Sequence, residues 1–222
     1  MIDDFFVGVE HRWPAGRDDL HWHLLLPPDE VEEQLVGPYR EILDRPGLAP
    51  VEARWLHTTV MHGGPVAEYR AGEIDTIVDR VRQECAGLAP IDLTFDRPSP
   101  GRVGVECAAR PGAPGRRLWE LTTQIDAEVT GRRFPVLPES WYPHSSVAYG
   151  IAGPDRPDRQ AIKVALSDHP GEPVTLRAST LVLVAQRHDR RHITWDRLAD
   201  VRLGTGDTSQ ADEAGKAETV EG

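Results

Sequence analysis

The sequence predicts an α+β fold of two lobes, in which antiparallel sheets line a central cleft and helices lie outside. Three observations support this fold class. Short runs alternate between apolar and polar residues as β-strands do, and longer runs space their apolar residues as amphipathic helices do. Two similar strand-like runs, 57–60 and 144–147, each follow a predicted helix, which indicates two weakly similar β-α-β halves.

The first half of the chain predicts two strands and two helices. Residues 1–19 have no clear period and are expected to form an extended lead-in. The apolar run 21–26 predicts a strand that ends at two prolines, after which Asp29 can cap a helix over 30–43. The elements predicted next, from their alternation and their helical spacing, are a strand over 53–61 and a helix over 68–85.

The second half repeats this succession of strands and helices. Residues 91–95 and 102–107 alternate apolar and polar side chains on either side of a Pro-Ser-Pro-Gly turn, which predicts a hairpin. Apolar spacing predicts a third helix over 116–129 and a short helix over 159–166. The remaining predicted elements are a strand over 141–149 and a last hairpin that turns near 188–190.

The chain is predicted to form one two-lobed domain over 1–204 and a disordered acidic tail over 205–222. At 222 residues it can bury a substantial core. The tail contains small, polar and acidic residues, with Val220 as its one large aliphatic side chain. It has too little apolar surface to offset the entropy lost on ordering.

The charge of the chain argues against binding to long nucleic acids. Acidic residues outnumber basic ones by 36 to 25, which gives a formal net charge of −11. Such a surface repels a long polyanion, whose binding normally needs a basic face. The expected partner is therefore a small nucleotide or an RNA end in a locally positive site, and we expect no membrane partner and a monomer.

Cysteine content and the N-terminal sequence predict a cytoplasmic protein. Cys85 and Cys107 are the only cysteines, too few for a disulfide scaffold, and are expected to be reduced and buried. The N-terminus is acidic where a signal peptide would be basic, and no apolar stretch approaches ~18 residues.

Each of the two similar runs places an imidazole beside a hydroxyl. In a strand, residues i and i+2 point to one face, so His57 and Thr59 share a face at a spacing of about 7 Å, as do His144 and Ser146. Two such units facing across a cleft supply two groups that titrate near neutral pH and two neutral donors for phosphate oxygens. These are the groups needed to cleave a phosphodiester without a metal or other cofactor.

The paired pattern of His, any residue, Thr or Ser, and a hydrophobic residue resembles the 2H phosphoesterase superfamily, the 2′-5′ RNA ligase-like family. The similarity extends to the flanking sequence and to the C-terminal strands, and it covers residues from about 21 to 204. The segments that carry it are Trp55-Leu56, Gly63-Gly64, Trp141-Tyr142-Pro143, Ala148-Tyr149-Gly150, Leu181-Val182-Leu183-Val184, Ile193-Thr194-Trp195-Asp196 and Val201-Arg202-Leu203-Gly204. One departure is His62, which stands where an apolar or aromatic residue is expected.

The resemblance implies catalytic roles for His57 and His144 and phosphate binding by Thr59 and Ser146. Taken singly, each histidine could instead be half-buried and bonded to backbone at a strand end. Trp55 and Tyr142 precede the histidines by two residues and could stack on a nucleobase, and Tyr149 lies at the predicted cleft edge. Core packing is the alternative for all three aromatic residues.

Other histidines offer a weaker, metal-based alternative. His21 and His23 share a strand face and could bind a metal if His57 or His62 joined them, although no acidic residue or cysteine stands at a suitable spacing. We therefore predict no metal. Four further histidines lie in polar, turn-rich sequence and are expected to be solvated: His11, His169, His188 and His192.

The function implied by the resemblance is metal-independent hydrolysis of a 2′,3′-cyclic phosphate or a related small phosphodiester. One histidine would activate water and the other would protonate the leaving ribose oxygen, and the reverse reaction would be 2′-5′ RNA ligation. The sequence does not decide which histidine is the acid. The alternatives are a module of the same fold that binds nucleotides or RNA ends without turnover, and a metal-dependent hydrolase or oxygenase built on His21 and His23.

Overall fold

A computed structural model describes residues 1–135 and 141–204, which form two antiparallel sheets flanked by helices. The tail predicted to be disordered, 205–222, lies outside the described residues. The strands are β1 (Asp19–Leu25), β2 (Leu48–Pro50), β3 (His57–Pro65), β4 (Ile91–Phe95), β5 (Ser99–Pro100), β6 (Gly104–Arg110), β7 (His144–Gly150), β8 (Val174–Ala178), β9 (Thr180–His188) and β10 (Ile193–Arg202). The α-helices are α1 (Phe5–Val9), α2 (Pro28–Val31), α3 (Arg40–Leu43), α4 (Glu73–Cys85), α5 (Gly112–Thr130) and α6 (Arg159–Asp168).

Each sheet contributes one of the two motif strands to the boundary between the lobes. The first sheet has the strand order β10-β9-β1-β3, with β3 at its edge, and the second has the order β2-β7-β6-β4-β8. The short β2 pairs only with the last part of β7, so the first part of β7 is also an edge. Strands β3 and β7 contact each other there. The predicted two-lobed α+β fold is confirmed.

The first sheet is covered on both faces. The outward side chains of Leu20, Trp22 and Leu24 are completely buried, and helices α4 and α5 pack against the sheet and each other. The alternate residues of β1, His21 and His23, point to the cleft side and are 3% and 0% exposed. Apolar burial of the outward face holds β1 and β3 in register and thereby fixes which β3 residues face the cleft.

The N-terminal segment differs from the predicted extended lead-in. It forms α1, a short helix whose N-cap Asp4 accepts a hydrogen bond from the amide of Val7 at 2.9 Å. Phe6 is 1% exposed, and its ring packs against Tyr149 and His188. A helix of five residues is too short to give a recognisable apolar period, which is why the sequence did not indicate it.

The helix predicted over 30–43 is broken into separate turns. A π-helical turn over Glu32–Val36 and a 3₁₀ turn over Gly37–Tyr39 separate α2 from α3. Pro38 has no amide hydrogen and clashes with a regular helix before it, which accounts for the break. The other helices and the last hairpin lie where the sequence predicts them, within a few residues. In the first hairpin, Ser99 and Pro100 of the predicted turn form β5, which pairs with β6. Cys85 and Cys107 are buried free thiols, as predicted.

A buried hydrogen-bond pair joins the two motif strands. The hydroxyl oxygens of Thr58 and Ser145 lie 2.9 Å apart, and Ser145 also donates to the backbone oxygen of His57 at 2.8 Å. Both side chains are completely buried. Thr58 and Ser145, which alternate along their strands with the predicted site residues, therefore connect the two lobes.

Ser145→Ala is expected to lower the free energy of unfolding by about 1–3 kcal/mol, because it leaves the Thr58 hydroxyl and a backbone oxygen without a partner. Denaturant titration measures this change. Thr175→Val is the matched control, since it removes one hydroxyl of the exposed Thr94 and Thr175 pair and should change stability by less than about 0.5 kcal/mol. Equal losses in the two variants would show that the buried pair has no special role.

Candidate active site

His57 and His144 begin the two motif strands and are held by the same local hydrogen bond. In each, ring atom Nδ1 lies 2.9 Å from the backbone oxygen two residues earlier, that of Trp55 or of Tyr142. A carbonyl oxygen only accepts hydrogen bonds, so Nδ1 carries the hydrogen in both rings. The basic nitrogen of each neutral imidazole is therefore Nε2, and the two rings are close enough for His144 to act on the pKa of His57.

The environment of His57 keeps its imidazole neutral. The ring stacks on the buried His23 at a centroid distance of 4.0 Å and meets the edge of Trp195 at 4.8 Å. Burial, opposed by the hydrogen bond to Trp55, lowers the pKa of His57 to about 4. At neutral pH the ring is ready to accept a proton at Nε2.

His144 has a more open and more acidic environment. Its ring stacks on the exposed Tyr142 at 5.1 Å, and its Nε2 lies 3.9 Å from a carboxylate oxygen of Glu106. The other Glu106 oxygen accepts a hydrogen bond from the Tyr142 hydroxyl at 3.1 Å. Glu106 can thus pair with the protonated form of His144, and the two histidines are not equivalent.

The predicted hydroxyls lie on the same side of their strands as the histidines. Thr59 pairs with His23 across the sheet and Ser146 pairs with Glu106, and both are half-buried. The backbone oxygen of Thr59 accepts a hydrogen bond from the indole of Trp141 at 2.9 Å, which ties the approach to β7 onto β3. The structure thus brings together, at the junction of the sheets, the four polar residues that the sequence singled out.

A β-bulge follows the hydroxyl in each motif strand and turns a further residue toward the cleft. Met61 pairs with Trp22 and Thr59 pairs with His23, so Val60 is an extra residue of β3. Val147 is likewise an extra residue of β7. Each bulge shifts the alternation by one residue, so His62 and Tyr149, five residues after their motif histidines, face the same side as those histidines.

The three predicted stacking residues have different surroundings. Trp55 ends a 3₁₀ turn before β3, where its ring lies 4.9 Å from that of Trp195. It therefore lies outside β3, although the predicted strand included it. Tyr142 is 53% exposed and also precedes its strand. Tyr149 is 6% exposed, and Phe5 and Phe6 cover its ring at 4.7 and 5.6 Å. Tyr149 therefore has no ring face open to a base, whereas Tyr142 has one.

Sequence reasoning missed Glu106 and Trp195, and it raised a grouping of His23 with His57 only as part of the metal-site alternative. Glu106 belongs to β6 and Trp195 to β10, and only sheet pairing brings them to the motif strands. His23 has two buried ring nitrogens that make no hydrogen bond within the described part of the chain. The alternation of His21-Trp22-His23 in β1 was the one signal that could have placed His23 on the cleft face.

One histidine prediction is wrong. His188, expected to be solvated, is 2% exposed; its Nε2 donates to the backbone oxygen of Trp13 at 2.8 Å, and its Nδ1 accepts from the amide of Arg190 at 3.2 Å. The cause is the N-terminal segment, which covers the last hairpin. His11 and His192 are exposed, as predicted, whereas His169 is half-buried with its ring 5.0 Å from that of Tyr39.

Other features of the described residues do not add to this site. Over 1–135 and 141–204, no three His, Cys, Asp or Glu side chains are grouped so as to hold a metal ion. In the same ranges no helix combines the length and apolar character needed to cross a membrane. Two cavities of about 470 and 690 Å³ flank α1, and neither is lined by His57 or His144.

Solved structures share this fold at low sequence identity. TT0787 of Thermus thermophilus superposes with a TM-score of 0.63 and 18% identity, over 83% of this chain and 97% of that one. Escherichia coli LigT complexed with 3′-AMP gives a TM-score of 0.59 and 18% identity, over 84% and 98%. LigT complexed with NADP⁺ gives 0.55 and 18% over the same shares.

Comparison with family models identifies the family directly. Curated proteins give no match to this chain. The model of the 2′-5′ RNA ligase superfamily matches residues 27–190, which include both motif strands, the whole second sheet and strands β3 and β9 of the first. The chain belongs to the 2′-5′ RNA ligase superfamily.

Proposed function

We propose that this protein is a metal-independent phosphoesterase that hydrolyses a 2′,3′-cyclic phosphate of a small nucleotide or an RNA end. The observation that carries the proposal is the matched pair of imidazoles on adjoining strand edges. Each is fixed by an Nδ1 hydrogen bond to backbone, which leaves Nε2 free for proton transfer.

The different surroundings of the two histidines support a division of roles. His57 is neutral at working pH because burial lowers its pKa to about 4, so it accepts the proton of the attacking water. His144, beside Glu106, gives its proton to the ribose oxygen as the bond from phosphorus to that oxygen breaks. The product is a ribose monophosphate, and proton exchange with solvent restores both rings.

Thr59 and Ser146 are assigned to the non-bridging phosphate oxygens. Each hydroxyl is neutral, so it stabilises the negative charge that grows on these oxygens without adding a countercharge. If a 5′-hydroxyl takes the place of water, the same groups would open the cyclic phosphate by attack of that hydroxyl and form a 2′-5′ phosphodiester, so ligation is the matching reaction of this site. Trp55 and Tyr142 are the proposed stacking residues, with Tyr142 the more accessible.

Two observations support a small substrate. The net charge of −11 disfavours long polyanions. The solved structures of the similar LigT contain 3′-AMP and NADP⁺. We place the activity in the cytoplasm, in keeping with two buried unpaired thiols.

The proposal is tested by incubating the protein with 2′,3′-cyclic nucleotides, 2′-5′-linked dinucleotides and ADP-ribose cyclic phosphate, each with and without EDTA. Mass spectrometry detects the gain of one water. We expect turnover of at least one cyclic phosphate that EDTA does not reduce. A nucleotide that raises the melting temperature but stays intact would instead support the binding-module alternative.

The pH profile of kcat/KM is expected to be bell-shaped, with its acidic limb near pH 4. Activity rises with pH as His57 loses its proton at a pKa of about 4, and the need for a proton donor to the leaving oxygen gives the profile its basic limb. Trp195→Leu should move the acidic limb upward toward 6.5, the ordinary histidine value, because it exposes His57.

Trp119→Leu is the control for this profile, since Trp119 is half-buried on the outer helix α5 and should leave the limb in place. If the acidic limb of the kcat/KM profile does not move in Trp195→Leu, the assignment of His57 as the base is contradicted.

A further inference from the structure

His62 is an imidazole of the cleft that the proposed acid-base chemistry does not use. The bulge at Val60 turns it to the cleft side of β3, where it pairs with His21. Thr59, which is assigned to the phosphate, pairs with His23, two residues further along β1. At about 3.3 Å per residue, His62 therefore lies about 7 Å along the sheet from Thr59. A group bound at His62 would thus lie within the length of a nucleoside from the phosphate.

A row of imidazole rings runs along the cleft face of the first sheet and ends at His62. The centroids of successive rings are 4.0, 5.7 and 4.5 Å apart in the order His57, His23, His21 and His62. His21 and His23 are buried in this row, whereas His62 is exposed. A ligand in the cleft can therefore contact the ring of His62.

Hydrogen bonds fix which nitrogen of His62 carries the hydrogen. Nδ1 of the buried His21 lies 3.1 Å from the backbone oxygen of Asp19, which only accepts, so this Nδ1 carries the hydrogen of the neutral ring. Nε2 of His21 therefore accepts from Nδ1 of His62 at 2.8 Å. In the neutral ring of His62 the remaining nitrogen, Nε2, has a lone pair and no hydrogen. It lies on the side of the ring away from His21, where it can accept a hydrogen bond.

Both rings of this pair are neutral at working pH. Burial holds the pKa of His21 well below its ordinary value. The walls of the cleft limit the hydration of His62 although its side chain is exposed, and this lowers the pKa of His62 to about 4. A charge on His57 acts in the same direction. Nε2 of His62 therefore suits an N–H or O–H group and does not suit a phosphate oxygen.

We propose that His62, oriented by His21, is a specificity residue whose Nε2 accepts a hydrogen bond from a neutral N–H or O–H donor of the substrate. The inference rests on the proposed function and narrows its substrate class. In a nucleoside 2′,3′-cyclic phosphate both of these ribose hydroxyls are esterified, so the remaining donors are the N–H groups of the base and the 5′-hydroxyl. The preferred substrates are cyclic nucleotides that present an amino group of the base or a free 5′-hydroxyl to His62.

The test compares pairs of 2′,3′-cyclic phosphates that differ in one donor. Three pairs lose an amino group of the base: adenosine and purine riboside, guanosine and inosine, and cytidine and its 4-deamino analogue. A fourth pair, adenosine and 5′-deoxyadenosine, loses the 5′-hydroxyl. We expect kcat/KM to be about 3- to 10-fold higher for the donor-bearing member of at least one pair, the effect of one hydrogen bond between neutral groups. The pair that responds identifies the donor.

Three variants test whether His62 causes this preference. His62→Phe keeps a ring but offers no acceptor, so the preference should disappear. His62→Gln can donate to His21 and still present its amide oxygen, so the preference should largely remain. His192→Phe is the matched control, because it makes the same change at an exposed histidine on the tip of the last hairpin and should keep the full preference. Each ratio is measured within one protein, so a loss of folded material cancels.

A wild-type protein that discriminates in none of the four pairs, or a His62→Phe protein that keeps the wild-type ratios, would overturn this role of His62. Calorimetric binding of the same compounds separates that result from the proposed function. Tighter binding of a donor-bearing compound that His62→Phe abolishes, without any hydrolysis, would keep the acceptor at His62 and reject the esterase. Hydrolysis without any discrimination would keep the esterase and reject the role of His62.

Discussion

His57→Ala and His144→Ala are each expected to lower kcat for cyclic-phosphate hydrolysis by about 10²–10⁴-fold, the usual contribution of one positioned acid or base. Each substitution removes the ring nitrogen that transfers the proton. Initial rates measured at saturating substrate give the effect. His192→Ala removes an exposed imidazole from the tip of the last hairpin and should keep full activity.

The two variants should differ when the leaving group needs no proton. A nitrophenyl phosphodiester releases a stable anion, so loss of the acid His144 should cost much less with this substrate than with a ribose leaving group. Loss of the base His57 should lower kcat by the same factor with both substrates. Equal penalties for the two variants on both substrates would contradict the assignment of roles.

Thr59→Val and Ser146→Ala are each expected to lower kcat by about 10²–10³-fold, as does removal of one donor to a developing oxyanion. KM should change less, because negative charge on the phosphate oxygens grows toward the transition state. Thr59→Ser keeps the hydroxyl and should restore most of the rate. Steady-state kinetics on a cyclic nucleotide measures all three variants.

Two adjacent serines provide an internal control for this prediction. Ser146 faces the cleft, whereas Ser145 bonds Thr58 and the backbone of His57 at the lobe junction. Ser146→Ala should therefore lower activity with little change in stability, and Ser145→Ala should lower stability. The reverse outcome would mean that the alternation of β7 has been assigned to the wrong face.

The sequence was sufficient to predict the features that depend on local alternation. His57 with Thr59 and His144 with Ser146 obey the two-residue period of a strand, and Thr58 and Ser145 point the other way, as that period requires. The apolar spacing of α4 and α5 gave these helices within a few residues of their ends. The fold class followed from the order of these elements.

The features that the sequence did not predict depend on pairing between distant strands. Bulges at Val60 and Val147 are visible only as shifts in register, so the direction of His62 and Tyr149 could not be read from the alternation. Glu106 approaches His144 only because β6 pairs with β7. The covering of Tyr149 results from α1, a helix too short to give a period.

The central claim is that two imidazoles at one cleft transfer protons between water and a phosphodiester without a metal. The most direct measurement is hydrolysis of a 2′,3′-cyclic nucleotide by EDTA-treated protein in water labelled with heavy oxygen, followed by mass spectrometry of the product. We predict a monophosphate that contains one heavy oxygen, formed by the wild-type protein and lost in the variant that combines His57→Ala with His144→Ala. A substrate that remains cyclic with the wild-type protein, or a product that the double variant forms equally fast, would contradict the claim.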